Sequence, residues 1–158
     1  MDTHNDSYVS RNSLKTNEAE VRFEDYMKSK GFPHGRMGFD EKNGYVENFY
    51  LLHPVLRSLP DYWMTIPKDA SRIFLVHVKG TPRIKTSDYA RYSAFEKVFC
   101  KGGCKLVLAF CFKDEAPAFI PMGAVRRVWD LIIEQKYEND GKGFKMMNVD
   151  SLKSLAKK

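Results

Sequence analysis

At 158 residues the chain is the size of one domain, and 26 Lys plus Arg against 20 Asp plus Glu give it a formal charge of +6. No apolar run approaches the ~20 residues needed to span a bilayer, and the first thirty residues hold no hydrophobic signal core. The three cysteines, Cys100, Cys104 and Cys111, are too few and too oddly spaced for a disulfide framework. Membrane-spanning and disulfide-stapled classes are therefore excluded. The expectation is a soluble protein of a reducing cytoplasm, with a polyanion such as nucleic acid as the partner that the charge suggests.

Residues 1–16 are polar and aperiodic and read as a flexible N-terminal segment, so the folded domain is expected over 17–158. From Asn17, Ala19, Phe23, Tyr26 and Met27 recur at helical spacing until Gly31 and Pro33 stop the pattern. Residues 33–60 are broken by glycines and predict a loop with a short strand or turn and a helical piece. Asp61 to Ile66 and Arg72 to Lys79 have strand composition around the turn residues 67–71, which makes a hairpin. Thr86 and Ser87 are candidate caps for a helix whose face is Tyr92, Phe95 and Phe99, ending near Gly102 and Gly103. Lys105 to Phe112 is a nearly continuous apolar run, as expected of a strand covered on both faces. A helix over 123–135 and a short strand and helix within 145–156 complete the chain. The fold class is α/β, with a mixed sheet flanked by helices.

Asp61 opens the first hairpin strand, while His77 and Lys79 lie near the end of the second and, being two apart, share a face. Antiparallel pairing sets the start of one strand beside the end of the other, so an acid, an imidazole and an ammonium group converge. Such a patch suits phosphodiester cleavage: carboxylate and imidazole to hold a divalent ion, and Lys79 to orient water or stabilise developing charge. Each residue also has an ordinary structural role open to it. Glu20, three residues after Asn17, matches a capping box; Asp61 could make an Asx turn; His77 could be a satisfied core histidine; and Lys79 could guard a strand edge. The three cysteines read as core thiols before they read as a zinc site, because the spacing is not that of a usual knuckle and no fourth ligand is near.

Pro60-Asp61, a strand pair and then Val76-His77-Val78-Lys79-Gly80 resemble the Pro-Asp…(Asp/Glu)-x-Lys nuclease superfamily, PD-(D/E)xK, whose restriction-endonuclease-like core runs αβββαβ. Ala19-Glu20 followed by Gly31-Phe32 is similar to the archaeal Holliday-junction resolvases, in which a helix glutamate joins the metal site. The resemblance covers about Asn17 to Phe112. It implies a DNA endonuclease that needs Mg²⁺ or Mn²⁺, with Glu20 as the helix acid, Asp61 as the central metal ligand and Lys79 as the catalytic lysine. His77 stands where the family has an acid, and imidazole suits Mn²⁺ better than hard Mg²⁺. Three accounts of that exchange stay open: a histidine-ligated site, a site completed by another acid such as Glu47, or a nuclease-fold DNA-binding accessory protein without activity. Arg83, Lys85 and Arg91 follow the cluster, and with Arg36 they are the candidate phosphate contacts for duplex or branched DNA. A resolvase cuts two strands symmetrically, so the resemblance also implies a homodimer, in the cytoplasm of a prokaryote or of a phage-infected cell.

Overall fold

The computed structural model describes residues 17–37, 51 and 53–157. The expected N-terminal segment and Glu47 lie outside the described residues. Helix α1 (Asn17–Lys30) is followed by β1 (His34–Arg36), α2 (Pro54–Arg57), β2 (Tyr62–Ile66), β3 (Asp69–Lys79), β4 (Arg83–Lys85) and α3 (Thr86–Phe99). Then come β5 (Cys104–Phe110), β6 (Ala118–Pro121), α4 (Met122–Trp129), β7 (Gln135–Lys136), β8 (Gly143–Met146) and α5 (Val149–Ala156).

Five strands form one mixed sheet in the order β1-β2-β3-β5-β6. β3 pairs antiparallel with β2 and parallel with β5, so α3 is the crossover that a parallel pair requires. The alternating side chains of β2, β3 and β5 serve two cores. Tyr62, Met64, Val76, Val78, Val107, Ala109 and Cys111 pack with Ala19, Phe23 and Met27 of α1. Leu75, Leu106, Leu108 and Phe110 pack on the other face with Tyr92 and Phe95 of α3, Val125 and Trp129 of α4, and Leu152 of α5. The mixed sheet flanked by helices is thus the α/β arrangement expected from the sequence, and Leu106 to Phe110 are buried as expected of a doubly covered strand.

Several boundaries differ from expectation. The hairpin turn contracts to Pro67 and Lys68, because β3 already begins at Asp69, whose carboxylate accepts a hydrogen bond from the Ser71 amide. Thr86 does not cap α3: it is the first helical residue, and Lys85 occupies the cap with no side-chain hydrogen bond. The Thr86 hydroxyl instead donates to Glu134 at 2.5 Å. The helix expected over 123–135 ends at Trp129, leaving Leu131 and Ile133 exposed. Of a second sheet, β4-β8-β7, only β8 had a signal, the short strand expected from Lys145; β4 and β7 had none, being only three and two residues long. No described helix is long and apolar enough to cross a membrane.

Candidate active site

Asp61 lies just before β2 and is fixed at both its main chain and its side chain. Its amide donates to the Val76 carbonyl at 2.9 Å, and its Oδ2 accepts the Val78 amide at 2.7 Å. The hairpin therefore delivers the carboxylate to the end of β3, as its antiparallel register predicts. Oδ2 also stands 3.9 Å from Nδ1 of His77.

His77 and Lys79 face α3, and both meet Tyr92. The imidazole stacks on the phenol ring with centroids 3.9 Å apart, and Nζ of Lys79 lies 5.0 Å from the same centroid. Lys79 also reaches the Asp88 carboxylate at 3.5 Å, and Asp88 in turn pairs with Arg91. His77 is 5% exposed, and its Nε2 is buried with no hydrogen-bond partner among the described residues.

These surroundings decide the charge states. Burial, reinforced by the charge of Lys79 and only partly opposed by Asp88, pushes His77 down to about 3, so the ring is neutral near pH 7. Its approach to Asp61 is consequently a polar contact and not an ion pair. Burial alone would lower the Lys79 pKa, but Tyr92, Asp88 and Asp61 outweigh it and hold the group above the usual lysine value, protonated. For Asp88, burial opposes ionisation, yet Lys79 and Arg91 overcome it and keep the carboxyl below its ordinary range. Burial pushes the Tyr92 hydroxyl up to about 12.

Asp88 and Tyr92 are the functional candidates that the motif reading missed. Their signal was present, because residues four apart on a helix share a face and this helix begins soon after the Lys79 strand, with only the short β4 between them. The hydrophobic spacing had marked Tyr92 only as a packing residue.

Glu20 is not brought into this cluster to make a metal-binding trio. From α1 its Oε2 accepts both terminal nitrogens of Arg36, at 2.7 and 3.0 Å. Arg36 also contacts Glu24 at 3.5 Å and donates to the Tyr62 hydroxyl, which itself donates to Glu24 at 2.5 Å. Arg36 is thus engaged within the fold, with its side chain 15% exposed. Arg83 and Lys85 are exposed on β4, the former with its guanidinium 5.1 Å from the Phe144 centroid, and Arg91 is exposed on α3.

Asp61 and His77 offer one oxygen and one nitrogen donor, and no group of three or more His, Cys, Asp or Glu that could hold a metal ion occurs among the described residues. Mg²⁺ favours octahedral oxygen coordination, so these two donors do not by themselves fit it. Elsewhere, a cavity of about 450 Å³ opens beyond the end of β5, between Phe110, Phe112, Met146, Met147 and the start of α5. It does not include Asp61, His77 or Lys79.

No protein-family model and no curated protein matches the chain. Among solved structures the fold is similar to that of Hjc, a Holliday junction resolvase from the archaeal hyperthermophile Archaeoglobus fulgidus, at a TM-score of 0.50 and 16% identity. The likeness covers 88% of this chain and 92% of that one.

Proposed function

We propose that this nuclease-like fold serves a DNA endonuclease acting on phosphodiester bonds, with four-way or otherwise branched DNA as the substrate to examine first. The observation that carries the reading is the convergence of Asp61, His77 and Lys79 at one end of the β2–β3 hairpin, on a fold similar to that of a junction resolvase. Lys79 brings a fixed positive charge, pre-oriented by Asp88 and Tyr92, to meet the charge that develops on a phosphate during cleavage. His77, neutral near pH 7, contributes a lone pair and no charge. Arg83, Lys85 and Arg91 follow in the chain and would hold the backbone on either side without reading sequence. Glu20 braces Arg36 in this reading, so its expected part in the site gives way to a structural one.

A second reading rests on the same histidine. With His77 covered by Tyr92 and no trio of donors among the described residues, the domain would bind DNA without cutting it. Incubating the full chain with labelled four-way junction, linear duplex, single-stranded DNA and RNA, each with Mg²⁺, Mn²⁺ or chelator, separates the two. The endonuclease reading expects metal-dependent cleavage that Asp61→Asn abolishes and that Lys79→Met slows by about 100-fold or more. Tight junction binding with no cleavage in either metal would establish the second reading instead.

A further inference from the structure

The turn joining α3 to β5 holds two thiols in contact. Sγ of Cys104 is 3.5 Å from Sγ of Cys100, and both residues are partly exposed. The third cysteine, Cys111, is buried, and its thiol points to the Ala109 carbonyl of its own strand.

The turn is built to keep the pair together. The Cys100 amide donates to Glu96 at the end of α3, and the Cys104 amide donates back to Lys101. Between them Gly102 takes a φ of +64°, which a side chain would strain. Gly103 lies so close to β3 that an added Cβ would strike the Ser71 carbonyl, and its own carbonyl accepts the Ile73 amide at 3.0 Å. Both ends of the turn are therefore anchored, one to the helix and one to the central strand. The sulfurs need approach by only about 1.5 Å to reach bonding distance.

We infer that Cys100 and Cys104 are an oxidation site, a dithiol that closes to a disulfide by exchange with a small-molecule disulfide such as oxidised glutathione. Cys104 attacks first, as the thiolate, forming a mixed disulfide and releasing one glutathione thiolate. Cys100 then loses its proton to solvent and attacks the Cys104 sulfur, forming the intramolecular bond and expelling the second glutathione thiolate. Two electrons pass from the protein thiols to the glutathione disulfide, and the two protons lost by the protein are taken up by the released thiolates. Burial and the neighbouring Cys104 push the Cys100 thiol up to about 12, so the closing step quickens as pH rises.

The test uses the full wild-type chain equilibrated across ratios of oxidised to reduced glutathione, quenched with an alkylating reagent, and read by intact mass and peptide mapping. The expected product has lost two hydrogens, joins the peptides of Cys100 and Cys104, leaves Cys111 alkylated only after unfolding, and reverts with dithiothreitol. Cys100→Ser and Cys104→Ser should each instead retain one glutathione on the remaining partner. Persistent glutathione adducts on the wild-type chain, a cross-link through Cys111, or full alkylation of Cys100 and Cys104 at every ratio would each overturn the inference.

Discussion

On the α1 side of the sheet, Arg36 meets Glu20, Glu24 and the Tyr62 hydroxyl; on the α3 side, Lys79 meets Asp88 and Tyr92, with the neutral His77 alongside. Each cluster sets a cation against carboxylate and phenol, yet the two are balanced differently. Arg36 has two carboxylates within 3.5 Å and a planar fork that fits them, an arrangement suited to tying a helix to an edge strand. Lys79 is a point charge with one carboxylate at 3.5 Å, and that carboxylate is shared with Arg91. The α3 cluster also holds Asp61, so Lys79 and Arg91 face the carboxylates of Asp61 and Asp88 beside the neutral His77. The difference is one of geometry: a guanidinium fork set between two carboxylates on the α1 side, and a point charge sharing its nearest carboxylate on the α3 side.

The largest effect should come from Asp88→Asn, which leaves the Lys79 ammonium largely buried without its nearest counter-charge. Removing one partner of such a pair costs about 3–5 kcal/mol, which lowers Tm by roughly 6–20 °C in a domain of this size. The double substitution Lys79→Met with Asp88→Leu should recover most of that loss in thermal melts. If the single variant melts with wild type, the pair is solvated and the contrast between the clusters fails. Glu20→Gln is the matching break on the other side. Arg36 keeps Glu24 and Tyr62, so the expected cost is smaller, about 1.5–3 kcal/mol in denaturant titration.

The pH dependence sharpens the comparison further. A histidine near 3 in the folded chain and near 6.5 when unfolded takes up a proton only on unfolding between those values, so it destabilises the fold as pH falls through that window. The slope is about 1.4 kcal/mol per pH unit, absent above pH 7 and exhausted below about 3. Chemical denaturation at pH 7 and pH 5 should therefore show a greater acid loss in wild type than in His77→Leu; equal losses would mean that the ring titrates normally. The smallest effect is expected of Tyr92→Phe, which keeps the ring over His77 and Lys79 and removes one hydroxyl, at about 0.5–1.5 kcal/mol.

Much of this arrangement was legible in the residues. Strand alternation put His77 and Lys79 on one face, the hairpin brought Asp61 to them, and the apolar run from Lys105 marked an interior strand. What could not be read was which partner each charged group would choose. Glu20 has the spacing of a cap and of a helix acid, but a short edge strand some way along the chain brings Arg36 to it, and that pairing is a tertiary event. Asp88 had a local signal in its spacing from Tyr92, which became informative only once α3 was laid over β3. The short strands of the second sheet owe their pairing to one another and carry little periodicity of their own.

The parallel pairing of β3 with β5 has a consequence for how substitutions propagate. Asp88 and Tyr92, which meet Lys79, come from the crossover helix, but the position of that helix depends on Cys104–Phe110, none of which belongs to the polar cluster. The chemistry of this end of the sheet is written in one stretch of the chain and its geometry in the next. A change of volume at Leu106 or Leu108 would thus shift the ammonium group while leaving every polar residue of the cluster unaltered, and a fragment ending at Cys100 would contain the entire cluster without the strand needed to assemble it.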